Sequence, residues 1–206
     1  MSVVHVLDSV TDWVRENVCP KIQLKQPPKD MDAATDEGYE HTLVTPAAFC
    51  MYLPTTDNLP PNIRSPFPSV CVRFMTGQDE LTKNSGFVDV ELCFSTWNPG
   101  EHGEDILRPD GSGGFKQWSG AEADAYFRRC SDGWRDAWNF VDIARREIES
   151  VTAVGGYAID RATPVKYGPL TEQESVADFY PYWFAWVSFR VQYPVVRNIE
   201  ELQEIL

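Results

Sequence analysis

A catalytic nucleophile needs a base within hydrogen-bond reach, and histidine is the usual one. The chain has three histidines, His5, His41 and His102, and none sits in a catalytic motif. There is no GxSxG elbow, no HExxH, no lysine-bearing phosphate loop and no GxGxxG between a strand and a helix. Gly111-Ser112-Gly113-Gly114 has the composition of a phosphate cradle, but no strand precedes it and no lysine opens a helix after it. It reads as a flexible loop. Glu101, His102, Glu104 and Asp105 gather metal-ligating side chains in one stretch. Their spacing matches neither a calcium loop nor a zinc site, so a solvated acidic loop is the expectation, with a divalent ion between subunits left open. Cys19, Cys50, Cys71, Cys93 and Cys130 are odd in number and include no CxxC pair, which argues against a disulfide framework or a zinc knuckle. No catalytic, cofactor-binding or metal-binding residue is nominated, no cofactor is expected, and the chain is not expected to be an enzyme.

Bulk properties narrow the remaining classes. The 206 residues suit a single domain, 1–206, and 43% hydrophobic with 13% aromatic content supplies a core. Against 31 acidic residues stand 18 basic ones, a formal −13, and no basic run exceeds Arg128-Arg129 or Arg145-Arg146. Nucleic-acid binders neutralise phosphates with Lys and Arg, so tight DNA or RNA binding is not expected, nor is docking to anionic lipid. The N-terminal stretch carries Asp8 and Asp12 where a signal peptide is apolar, and no apolar run approaches the roughly 20 residues of a membrane helix. The expectation is a protein that folds in a reducing cytoplasm and has no membrane partner.

The spacing of Val3, Val6, Leu7, Val10, Trp13 and Val14 predicts an amphipathic helix over 3–18, with Ser2 as N-cap and Cys19-Pro20 as its end. Gln26 to Glu40 reads as a loop. His41 to Leu53 reads as extended, with Pro46 marking an edge strand or bulge. Val70–Met75 and Phe87–Phe94 read as strands joined by a long polar hairpin loop near 76–86. A Gly-rich flexible insertion is expected near 98–118, then a short helix opened by the S-x-x-E pattern at Ser119–Glu122. Asp132 can cap a main helix whose apolar stripe is Trp134, Ala137, Trp138, Val141, Ala144, Ile148 and Val151, with Asp142 and Arg146 paired on its flank and Gly155-Gly156 as its stop. Thr163–Leu170 and Tyr182–Tyr193 read as strands, and Asn198–Leu206 as an acidic helical tail. The order α-β-β-β-(α)-α-β-β predicts an α+β fold: a mixed, mostly antiparallel sheet with the N-terminal and central helices packed on one face.

Alternation assigns the two faces of the long strands. Val88, Val90, Leu92 and Phe94 point one way; Asp89, Glu91 and Ser95 point the other. In the last strand Trp183, Ala185, Val187 and Phe189 oppose Phe184, Trp186, Ser188 and Arg190. One face is core, and the other is also bulky, which fits either a buried sheet or an aromatic subunit contact. Asp89, Glu91, Trp186 and Arg190 are the candidate subunit contacts.

The segments Pro66–Asp79, Cys93–Asn98, Asp132–Arg145, Pro181–Ala185 and Val191–Val196 resemble the centre, central helix and closing strand of the tail-terminator, or tail-completion, proteins of long-tailed phages. The resemblance implies a structural virion protein that forms a six-fold ring on the finished tail tube. Its implied partners are further copies of itself, the tail tube protein and the head–tail connector protein, with DNA passing through an acidic lumen without specific binding. The implied location is the virion tail, assembled in the bacterial cytoplasm. Another neck or completion subunit, or a small-molecule-binding module built on the aromatic strand, are the alternatives.

Overall fold

A computed structural model describes residues 3–28, 42–80, 82, 84–100, 132–172, 175–176 and 179–194. Helix α1 (Val3–Asn17) buries Val6, Leu7, Val10 and Val14, as their spacing requires, and the Thr11 hydroxyl turns back onto Leu7 O at 2.7 Å. A 3₁₀ turn at Cys19–Lys21, with Pro20 inside it, ends the helical path. Strands β1 (Leu24–Gln26) and β2 (Thr42–Val44) form a separate antiparallel ribbon. Then come β3 (Ala47–Cys50), β4 (Ser69–Glu80), β5 (Ser85–Trp97), α2 (Trp134–Ser150), β6 (Ala153–Val154), β7 (Tyr157–Ile159), β8 (Lys166–Pro169), β9 (Thr171–Glu172), β10 (Ser175–Val176) and β11 (Tyr182–Pro194).

The main sheet has seven strands in the order β3-β4-β5-β11-β7-β6, with β8 beside β7 on the same flank of β11. Only β3–β4 is parallel; the rest is antiparallel. Val70, Val72, Val88, Val90, Leu92, Phe94, Ala185, Val187, Phe189 and Val191 line one face and form a single core with the buried stripes of α1 and α2. The fold is α+β, with both helices on that face. Pro46 separates β2 from β3, and β3 is an edge strand, as expected of a proline there.

Several local expectations are corrected. The region 76–86 is not a long loop: β4 runs to Glu80, β5 starts at Ser85, and Asn84 takes the turn at φ 50°. Its polar side chains hid a strand because β4 beyond Val72 is exposed, so nothing demands apolar alternation there. The buried stripe of α2 is Ala137, Phe140, Val141, Ala144 and Ile148. Phe140 joins it with its ring tilted against Phe94, ring centroids 4.6 Å apart. Trp134 leaves it, 40% exposed in the first turn with the Arg135 guanidinium over its ring. Trp138 and Val151 pack only partly buried against the core.

Asp132 does not cap α2 through its side chain; Gly133 holds the cap position and Asp132 pairs with Arg135 at 3.2 Å. Asp142 pairs with Arg145 rather than Arg146, and Arg145 also reaches Glu149 one turn on. The helix stops at Ser150, and Gly155-Gly156 instead makes the β6–β7 turn, at φ +57° and +83°, where side chains are disfavoured. Gln26 belongs to β1 rather than to a loop. The expectations for Ser2, for 29–40, for the insertion beyond Gly100, for Ser119–Cys130 and for Asn198–Leu206 lie outside the described residues.

Phe140 is fully buried against Phe94, so Phe140→Ala should cost roughly 3–5 kcal/mol in urea unfolding. Trp134→Ala, on the exposed first turn, should cost less than about 1 kcal/mol. Equal losses at the two positions would contradict this assignment of the helix face.

Candidate functional site

The β5–β11 pair places its outward residues in rungs: Asp89 beside Arg190, Glu91 beside Ser188, Cys93 beside Trp186, Ser95 beside Phe184, and Trp97 beside Tyr182. All four candidate contacts therefore lie on one face, opposite the helices, and each is half-buried. The face grades from charge at the Asp89 end to aromatic rings at the Tyr182 end.

The structure gives these residues internal partners. Arg190 donates through Nε to Asp89 Oδ1 at 2.7 Å and through Nη2 to Asp89 Oδ2 at 2.9 Å. Its guanidinium also lies 3.8 Å from the Phe87 ring centre, and the bond to Asp89 raises its pKa further above the usual range. This fork neutralises both charges, so a neighbouring molecule meets a planar, neutral unit rather than two open ions. Glu91 stands opposite Arg73 of β4 and accepts from Cys93 Sγ at 3.1 Å. Burial, then that bond, pushes the Cys93 thiol far up, so it is an inert group rather than a nucleophile. Trp186 Nε1 donates to Pro169 O at 2.9 Å, and the absent side chain of Gly168 makes room for its ring: a Cβ there lies 3.1 Å from Trp186 Cζ2.

Two features escaped the sequence reading. Phe67 and Phe179, both from connecting segments, complete the aromatic end. The Phe67 ring lies 4.7 Å from Tyr182 and 6.3 Å from Phe184, and Phe179 lies 5.7 Å from Phe184 edge-on. Only long-range proximity reveals them; their local sequence carries no signal.

The second is Asn98. Its Oδ1 accepts from Lys25 Nζ at 3.0 Å and Gly100 N at 2.9 Å, its Nδ2 donates to Asp136 Oδ2 at 2.7 Å, and its carbonyl accepts from Trp183 Nε1 at 2.9 Å. Gly133 presses against the same carbonyl, where a Cβ comes to 2.2 Å. Burial raises the Asp136 carboxyl, opposed by Asn98 and Lys25. One side chain thus ties the end of β5 to the start of α2.

A groove of about 1180 Å³ adjoins the aromatic end through Phe67 and is lined also by Asp8, Asp12 and Arg15 of α1 and by Phe49 and Arg64. It mixes both charges with apolar walls. His5 is exposed on α1, while His41 and the Glu101–Asp105 cluster lie outside the described residues. Among the described residues no helix is long and apolar enough to cross a membrane. No protein-family model matches the chain, and no curated protein matches it.

Two outcomes follow for this face and its rim. Removing one partner of the Asp89–Arg190 fork leaves the other half-buried and unpaired, so Asp89→Ala should cost about 2–3 kcal/mol. Arg190→Ala added to it should cost much less than on its own; additive losses in that cycle would show no coupling. At the distal end Tyr193 donates its hydroxyl to Asp79, and burial, then this bond, raises its pKa from 10.0 to about 12. A raised folded pKa means stability that is complete below pH 10 and lost towards pH 12, as the unfolded chain ionises first. Tyr193→Phe should flatten that part of the stability curve, measured by denaturant melts across this range; an unchanged slope would reject the linkage.

Proposed function

We propose that the chain is a structural virion protein that caps the tail tube of a long-tailed phage as a ring. In this reading it ends tail polymerisation and offers the head–tail joining surface. The observation that carries the reading is where the resembling segments fall. Pro66–Asp79, Cys93–Asn98, Asp132–Arg145 and the two ends of β11 lie on β4, β5, α2 and β11, the elements that make the sheet and its helix cover. The resemblance is to one connected packing unit rather than to scattered peptides.

Further support comes from what the outer face offers. It has an ion pair already neutralised, one carboxylate at Glu91, and a bank of rings at Phe67, Phe179, Tyr182, Phe184 and Trp186. Aromatic groups beside satisfied polar ones suit a protein contact. Repeated between neighbouring copies with one rotation, a heterologous contact closes into a ring. The formal −13 suits a lumen through which DNA passes without being held, and makes free subunits repel, so the ring is expected to assemble on a tail tip. The partners are then the tail tube protein on one side and the head–tail connector on the other, and the location is the virion tail. A second reading, a small-molecule-binding module, is favoured by the groove between α1 and 42–68 rather than by the aromatic strand.

Deleting the gene from a phage that carries it should give overlong or headless tails in electron micrographs of the lysate. Joined particles with tails of normal length would reject the reading. Normal particles together with saturable small-molecule binding abolished by groove substitutions would favour the second.

A further inference from the structure

Strand β3 has β4 on one side and, among the described residues, no strand on the other. The bonds to β4 fix what the free side offers. Ala47 N–H donates to Pro68 O at 3.1 Å and Met51 N–H to Val72 O at 2.7 Å. The N–H and C=O of one trans peptide point opposite ways, so Pro46 O and Cys50 O face away from β4. By the same alternation the Ala48 N–H and C=O and the Cys50 N–H face away too. Two features bound this edge. Proline leaves no N–H at position 46, and Met51, at φ 67°, turns the chain so that Tyr52 N–H takes Cys50 O at 2.9 Å.

Four backbone groups remain: Pro46 O, both groups of Ala48, and Cys50 N–H. Neither N–H has a partner among the described residues. Ala48 O has only Arg15 Nη2, at 3.4 Å and from a side chain 54% exposed, so an incoming N–H can replace it. The groove of about 1180 Å³ runs along this edge, with Ala48 and Cys50 in its lining. Asp8 and Asp12 of α1 stand on its helix side; Arg64 and Phe67 stand on the other, where Phe67 meets Phe184 of the outer face. A free strand edge walled on both faces is a slot for one extended chain.

We propose that Pro46–Cys50 takes an extended segment of a different protein as an added strand. Either direction of the guest uses all four backbone groups, so the main chain supplies affinity and the side chains supply selectivity. Charge states which side chains fit. Asp12 and Arg15 neutralise each other. Asp8 and Arg64 are both exposed and have no partner among the described residues. Side chains on one rung share a face, and Ala48 belongs to the core side with α1. The guest residue beside Ala48 therefore faces Asp8, and its two neighbours face the Arg64 side. The matching guest carries Lys or Arg between two acids. This slot does not rest on the ring reading, whose contact is the outer face of β5 and β11, and it needs a peptide backbone rather than a small molecule.

Fluorescence anisotropy of a labelled Val-Glu-Lys-Glu-Val peptide, titrated with the whole chain, tests it. Saturable binding is expected, at least about tenfold weaker for Val-Lys-Glu-Lys-Val and for the first peptide N-methylated at its three central residues. The inverted peptide is the more positive, so bulk attraction to a chain of formal charge −13 works against the expected order. Asp8→Lys with Arg64→Glu, both at exposed positions, should reverse the preference. Absence of saturable binding up to about 1 mM, binding that survives N-methylation, or a preference unchanged by the two substitutions overturns the proposal. Self-association of the chain that the peptide abolishes would give the edge to a second copy instead, and overturns it too.

Discussion

The molecule hangs on the register between β5 and β11. Ser85–Trp97 and Tyr182–Pro194 pair antiparallel along their whole length without a break. Because side chains alternate with a period of two, that one register decides which residues form the core. Val88, Val90, Leu92 and Phe94 meet Ala185, Val187, Phe189 and Val191 under the helices, and all are buried. A slip of one residue turns one of the two strands over and brings either Asp89 and Glu91 or Trp186 and Arg190 beneath α2, with a buried charge as the penalty. The rest of the main sheet and α2 are attached to this pair: β4 and then β3 on the β5 flank, β8 and β7 on the β11 flank, and α2 across both.

The same register makes the outer face chemically graded. The Asp89–Arg190 fork closes on itself, Trp186 is held by β8, and the far end is a group of rings gathered from β11 and two connecting segments. Such a face recognises shape and apolar area more than charge. Catalysis needs a polar group left poised, with a pKa near working pH. Burial pushes the Cys19 thiol up to about 12 and, with the bond to Asp79, the Tyr193 hydroxyl likewise to about 12, away from that range, while it raises the Asp136 carboxyl towards it.

Much of this was legible in residue order. The helix of Val6, Leu7, Val10 and Val14 and the alternation of β5 and β11 follow from apolar periodicity, because one face of each is buried without exception. The same rule put Asp89 with Glu91, and Trp186 with Arg190, on one side of their own strands; that all four share one face of the sheet follows only from the pairing of β5 with β11. The mutual neutralisation of Asp89 and Arg190 does too, since they meet only through a pairing between strands distant in sequence. The distal half of β4 was hidden for the converse reason: a solvated edge strand has no buried face to impose a pattern. Phe140 was missed although it stands three residues after Ala137 and four before Ala144, at the ordinary spacing of one helix face. The Asn98 hub and the rings of Phe67 and Phe179 depend on contacts between segments, which periodicity does not encode.

The central claim is that this protein works by contact, with the outer face of β5 and β11 as the contact surface within a ring at the end of a tail. Electron cryomicroscopy of intact particles from a virus encoding the chain tests that most directly. The account predicts a ring of its copies at the head-proximal end of the tail tube, with Trp186 and the rings around Phe184 covered by a neighbouring chain. Particles without the chain, or a ring in which that face looks into solvent, would contradict it.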